Sequence, residues 1–193
     1  SIQSFKCQHS TTTDIEYKAT GSGDGINSIL QNEVDFAGTD VKISNSSLIK
    51  YNVTNKDDII LIPTMATSVC AFANVFPDII SVDKATSKET PRLVLRPKTI
   101  ARIFRRNITR WDHDTIQREN PNLAHLLPSV GIKMIVRKDG SGTTSIFTEA
   151  LSLFDTDFHE TIGFGKTVNW NAGRKETDGN DITSANYNQG VID

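Results

Sequence analysis

One pattern constrains this chain more than any other: a short apolar run, a turn of small residues, then apolar residues at helical spacing. It occurs twice. The clearer copy has a strand at 132–136, the run Arg137-Lys138-Asp139-Gly140-Ser141-Gly142-Thr143-Thr144, and a helix face of Ile146, Phe147, Ala150, Leu151 and Phe154. The other has a short strand at 14–19, the turn Gly21-Ser22-Gly23-Asp24-Gly25, and a helix face of Ile26, Ile29 and Leu30. Strands alternating with helices predict an α/β fold, with parallel strands covered by helices.

The remaining segments fit that plan. Residues 2–10 read as the end of a first helix. A short buried strand is expected at 34–37, with Gly38-Thr39-Asp40 at its C-terminal end. The β-rich stretch 59–75 reads as a crossing between two lobes. A helix from Thr99 carries Ile100, Ile103 and Phe104 on one face and breaks over 107–111. A shorter helix from Asp112 carries Ile116, and Asn120-Pro121-Asn122 is a turn. The polar stretch 173–190 reads as loop with a short helix. With 193 residues, 37% hydrophobic and 23% charged, the chain suits one domain or two small lobes.

In folds of this class ligands bind at the C-terminal ends of strands. A helix N-terminus offers unpaired N–H groups and about half a positive charge, which favours an anion. Glycines let the backbone approach it closely. The hydroxyls of Ser22, Ser141 and Thr143 can donate hydrogen bonds, and Arg137 supplies a charged fork of donors that Asp139 could hold in place. Taken singly, each turn also reads as an ordinary capped helix. Asp40 makes the pair more specific. A carboxylate beside an anion is repulsive unless the anion carries a proton, as phosphate does and sulfate at neutral pH does not. The other reading of Asp40 is a turn or helix cap. Neither turn is GxxxxGK[ST], and neither matches GxGxxG with a downstream acid.

Four ordered blocks carry a resemblance: ATGSGDGINSILQNEVDFAGTDVKIS at 19–44, TIARIFRRNITRWDHDTIQRENPNL at 99–123, IVRKDGSGTTSIFTEAL at 135–151, and the weaker GFGKTVNWNAGRKETDGND at 163–181. They resemble the periplasmic phosphate-binding proteins, solute receptors of phosphate ABC transporters. The resemblance implies a type II periplasmic-binding fold with two α/β lobes around a cleft. It implies non-enzymatic binding of inorganic phosphate, without a cofactor. Ser22 would donate from the first helix start and Asp40 would accept the phosphate proton. Arg137 would supply charge, paired with Asp139. Ser141, Gly142 and Thr143 would donate from the second helix start, with Gly21 and Gly140 in support. Residues 1–75 would form a partial first lobe and crossing strand, and 76–193 the second lobe. The family's Gly-Ala-Gly-Ala-Thr-Phe segment has no counterpart here. The first lobe is therefore expected to be incomplete, with a further segment or another chain completing it. The first residue is not Met, which reads as a piece of something longer.

Other features set alternatives. Asn45, Asn52 and Asn107 begin Asn-X-Ser/Thr acceptors, and Cys7 and Cys70 would pair as a disulfide or stay as two buried thiols. These point to a secreted, extracellular or periplasmic setting. They also allow a second reading, a structural or interaction module of an extracellular or cell-surface assembly. The run of Arg92, Arg96, Lys98, Arg102, Arg105, Arg106 and Arg110 reads as a solvated helix face, or a docking face for an acidic partner. It lacks the interleaved aromatics of a nucleic-acid groove. His9, His113, His125 and His159 share no metal-ligand spacing and read as surface or structural. Trp111 and Trp170 read as packing residues. No Ser-His-Asp or Cys-His grouping supports an enzyme, and no run is long and apolar enough to span a membrane.

Overall fold

Several of the helices described begin at a side-chain cap: Ser44, His113, Ser141 and Asp155. The computed structural model describes residues 15–54, 58–75, 92–173 and 182–192. In chain order they form α1 (Ser22–Leu30), α2 (Asn45–Lys50), α3 (Pro97–Phe104), α4 (Asp114–Glu119), a 3-10 turn (Ala124–Leu126), β1 (Met134–Arg137), α5 (Gly142–Phe154), α6 (Thr156–Thr161), β2 (Ile182–Ala185) and α7 (Tyr187–Ile192).

The first three helices end alike. Asn32, Asn52 and Arg106 take up left-handed φ values of 56°, 56° and 62° one residue past the cap. In each, two amides fold back on the last turn, as Asn32 N–H to Ile29 O and Glu33 N–H to Ser28 O show for α1. Asn tolerates this conformation well. Arg106 is held there by burial: it is 2% exposed and its guanidinium donates to Ile132 O at 2.8 Å. At the other end of α3, Pro97 occupies the first turn. Glu119 accepts from the Arg96 amide at 3.0 Å and from the Thr99 hydroxyl at 2.6 Å. The expected turn at Asn120 is present and does further work. The Asn120 side chain accepts from Val94 N–H and donates to Val94 O and Ile116 O, tying α4 to the segment entering α3.

α3 also separates two apolar clusters. Ile103 joins Val75, Ile108, Ile116, Leu127 and Ile132, with Trp111 against them. Ala101 joins Met134, Val136, Leu151, Phe158 and Trp170. Phe104 seals the second cluster, edge-on to Phe147 at 4.9 Å. Both tryptophans are thus packing residues, as expected.

β1 and β2 pair in parallel, with Met134 opposite Ile182 and Arg137 opposite Ala185. Parallel neighbours require a crossover connection, and here it contains α5 and α6. The mixed helix–strand order bears out the α/β expectation.

Several local expectations are corrected. α5 buries only part of the expected face of Ile146, Phe147, Ala150, Leu151 and Phe154: Leu151 is buried and Phe147 packs against the second cluster. Ile146 and Phe154 are 40% and 44% exposed, while Thr144, Thr148, Leu151 and Ser152 are buried. Threonine is polar, yet the Thr148 hydroxyl donates to Thr144 O at 2.7 Å and accepts from Gly165 N–H, so it is satisfied inside the core. Residues 15–19, 34–37 and 59–75 form no strand. Val34 and Phe36 are exposed rather than buried, as are Ile60, Ile62, Met65 and Phe72. Strand-favouring composition makes a strand only with a partner, and none pairs with them among the described residues. Conversely, β2 and the first residues of α7 lie within the stretch 173–190 expected to be loop with a short helix. The short helix was foreseen. The strand was not, because Ile-Thr-Ser-Ala is too short to show a pattern. The helix expected at 2–10, and residue 14, lie outside the described residues.

Candidate functional site

The two small-residue turns meet. The Gly23 amide, in the first turn of α1, donates to the Gly140 carbonyl just before α5 at 2.8 Å. The glycines make this approach possible. A Cβ on Gly21 would lie 2.5 Å from Asp139 Oδ2 and 2.8 Å from Gly140 O. A Cβ on Gly142 would lie 2.6 Å from Ser22 Oγ and 2.7 Å from Asp40 Cβ. Gly21, Ser22, Gly142 and Ser141 are all buried at this junction. Gly21, Ser22, Asp40, Arg137, Asp139, Gly140, Ser141, Gly142 and Thr143 are therefore brought into one patch.

First-turn amides have no carbonyl four residues back to bond. At α5 the Ser141 Oγ accepts from the Thr144 amide at 3.1 Å, a regular N-cap. At α1 the Gly23 amide is used by Gly140. The amides of Ser22, Asp24, Gly142 and Thr143 have no such acceptor among the described residues. The Ser22 hydroxyl oxygen accepts from the Asp40 amide at 3.2 Å. A hydroxyl that accepts keeps its own proton to donate, so Ser22 and Ser141 remain donors. Thr143 is different: its hydroxyl donates to Asp40 Oδ2 at 3.1 Å. The carboxylate thus stands against the start of α5, with acceptor capacity left on its other oxygen.

Arg137 leaves the end of β1 directly into this patch. Its Nε donates to Asp139 Oδ1 at 2.7 Å and one Nη to Oδ2, a two-pronged pair with both side chains 11% exposed. The Tyr187 amide also donates to Asp139 Oδ1, at 2.8 Å. The hydrogen bonds from Arg137, aided by the Tyr187 amide, hold the Asp139 carboxyl below the usual carboxylate range against the opposing effect of burial. Arg137 and Asp139 cancel formally, and the negative charge of Asp40 is offset by two helix ends of about half a positive charge each.

Sequence reasoning missed three contributors. Asn188 accepts from the other Nη of Arg137, the Tyr187 amide braces Asp139, and the Lys166 carbonyl accepts from the Ser141 amide at 3.0 Å. Two of these act through the backbone, which leaves no residue-type signal. Asn188 sat within a stretch read as loop.

The other candidates lie elsewhere. The basic run at 92–110 is not one solvated face: Arg106 is buried, and Arg105 and Arg110 pair with Asp157 and Asp112. Its cations spread over a helix, its C-terminal cap and a turn. His113 caps α4, its Nδ1 accepting from the Thr115 amide, which fits the structural reading. Asn45, Asn52 and Asn107 are exposed. Cys70 is a free, exposed thiol rather than a buried one, and Cys7 lies outside the described residues. Among the described residues no His, Cys, Asp or Glu group could hold a metal ion, and no helix is long and apolar enough to cross a membrane.

The family model of a PBP superfamily domain matches residues 2–193. The chain belongs to the PBP superfamily. Within that superfamily it is 36% identical over 169 residues to the phosphate-binding protein PstS of Methanocaldococcus jannaschii, covering 88% of this chain and 40% of that protein. It is 30% identical over 164 residues to PstS of Haemophilus influenzae, covering 85% of this chain and 44% of the relative. It is 30% identical over 174 residues to the phosphate-binding protein PstS2 of Mycobacterium bovis, covering 89% and 42%. This PBP superfamily chain therefore spans about two fifths of the length of these relatives. The resemblance drawn from the four sequence blocks is borne out.

Proposed function

We propose that this patch binds inorganic phosphate, without chemistry on it and without a cofactor. The observation that carries the reading is the meeting of two helix starts around Arg137 on one side and Asp40 on the other. Amides of Ser22, Gly142 and Thr143, the hydroxyls of Ser22 and Ser141, and Arg137 supply donors. Asp40 supplies the acceptor that a protonated oxygen needs. Phosphate carries such a proton and sulfate does not, so the same carboxylate that binds one repels the other. The relatives are phosphate-binding proteins, which supports this class of ligand.

We read residues 1–75 as part of one lobe and 76–193 as the other, with a further segment or chain completing the first. The setting we propose is outside the cytoplasm: secreted, extracellular or periplasmic. The test is calorimetric titration of the full-length protein with phosphate and, separately, with sulfate. Saturable heat with phosphate and little with sulfate is expected. A folded protein that gives no phosphate heat removes the reading, and equal binding of both anions removes the role of Asp40.

A further inference from the structure

Resting on the phosphate reading above, we propose that Asn188 is a positioning residue that, with the Tyr187 backbone amide, fixes the direction in which Arg137 presents its remaining donors. A guanidinium has five N–H groups in a rigid plane. Asp139 takes two of them, from Nε and one Nη, and the Asn188 Oδ1 takes one from the other Nη. Two N–H groups, one on each Nη, have no partner among the described residues. The Nη that bonds Asp139 lies 3.2 Å from the point where a Cβ on Gly21 would stand, so the fork faces the start of α1.

This arrangement follows from the parallel sheet. Arg137 is opposite Ala185, and the Lys138 amide donates to Ala185 O at 2.9 Å, which carries the next residues alongside Asp139. Tyr187 then adopts φ 58°, a left-handed conformation disfavoured for a bulky residue. In this conformation its backbone N–H donates to Asp139 Oδ1 at 2.8 Å. One carboxylate holds one edge of the guanidinium, and its plane is pinned at a second point by Asn188. With Asp139 alone, the fork is free to swing about that edge.

Asn188 is exposed, so truncating it opens no cavity in the core. That makes the test clean. Phosphate affinity is measured calorimetrically on the full-length protein for the unmodified chain, Asn188→Ala, Arg137→Lys and the double variant. Losing a hydrogen bond to a charged group predicts a roughly tenfold weaker phosphate affinity in Asn188→Ala, with an unchanged melting temperature. In the Arg137→Lys background, where there is no planar fork to orient, the same substitution should have no further effect. An equal loss in both backgrounds would show that Asn188 acts structurally and would overturn the proposal, as would an unchanged affinity in Asn188→Ala. Absence of phosphate heat in the unmodified protein is a separate outcome, which removes the ligand reading and this role with it. A spectroscopic arm needs no ligand: rotation about the Arg137 guanidinium bonds, followed by nitrogen NMR, should quicken in Asn188→Ala. Unchanged rotation would also overturn the proposal.

Discussion

Gly142 lies against Ser22 so closely that a Cβ at its position would stand 2.6 Å from Ser22 Oγ. The contact joins two helix starts that are 120 residues apart in sequence (142 − 22). Asp40 Cβ stands 2.7 Å from the same point, so a methyl group cannot be absorbed by a single side-chain rotation. Gly142→Ala should therefore push α1 and α5 apart. Overpacking of this kind costs about 1–3 kcal/mol, read as a lower midpoint in chemical denaturation, and phosphate affinity should fall at least roughly tenfold. Gly38 is the control. It precedes Asp40 by two residues, yet a Cβ there meets nothing within 4 Å. Gly38→Ala should leave affinity intact and hold or slightly raise stability, since alanine restricts the unfolded chain. Equal effects at the two glycines would show that the junction does not depend on close approach.

Asp40→Asn tests the charge argument directly. The amide removes the negative charge that stands against the start of α5, and it can still accept from the Thr143 hydroxyl as Asp40 Oδ2 does at 3.1 Å. Sulfate affinity should rise by about tenfold or more, and phosphate affinity should fall by a similar factor, because a repulsion is relieved for one ligand and a charged acceptor is lost for the other. Competition titrations of the two anions give the ratio. If the ratio does not move, Asp40 is a structural cap and selectivity resides elsewhere.

Much of this site was legible because its chemistry rests on residue types with few other uses in that pattern. Gly-Ser-Gly before a helical stretch, an arginine closing a strand, and Asp139 two residues later all name their own roles. The α/β class was legible for the same reason, through apolar spacing at 132–136 and 99–104. The buried face of α5 was legible only in part, at Leu151 and Phe147, because Thr148 satisfies its hydroxyl within the helix and then behaves as core. Residues 34–37 and 59–75 have strand-favouring composition but form no strand, because composition records a preference for a pleat and not the presence of a neighbour. β2 was undercalled for the converse reason: four residues of weak pattern become a strand once β1 pairs with them. Asn188 was invisible because its role depends on that pairing.

The Arg137–Asp139 pair predicts a pH dependence. The folded-state carboxyl of Asp139 titrates below the usual range, chiefly through its bonds from Arg137. In the unfolded chain it titrates near its ordinary value of about 3.9. The folded form therefore binds the proton less readily, and the stabilisation is fully present above that value and lost as pH falls through the folded-state value. Asp139→Asn should be less stable than the parent by about 2 kcal/mol at neutral pH, less than a deeply buried pair because solvent reaches both groups. The gap should narrow as the solution is acidified. Asp112, lowered to about 2 by bonds from Arg110 and Ser129, supplies an acid limb that the variant keeps. Melting temperatures of both proteins across the acid range give the difference curve. A gap that stays constant with pH would mean that Asp139 acts through shape and not charge.

Arg106 offers a sharper separation of backbone from side chain. Its φ of 62° closes α3 in a conformation that glycine adopts without penalty, while its guanidinium is buried and donates to Ile132 O at 2.8 Å. Replacing it removes the bond and leaves that carbonyl in need of a partner, which costs about 1–3 kcal/mol. Two variants share that loss but differ in the backbone. Arg106→Ala must hold a Cβ in the left-handed region, whereas Arg106→Gly is relieved of it by about 1–2 kcal/mol. Arg106→Gly, although it has the smaller side chain and the more flexible unfolded chain, should therefore be the more stable of the two. Both should retain phosphate affinity within about twofold, because Arg106 closes α3, which supplies no residue to the junction of α1 and α5. Denaturant midpoints of the two variants decide the matter. If alanine proves more stable than glycine, the cap is set by the buried guanidinium alone, and the left-handed turn follows from it passively.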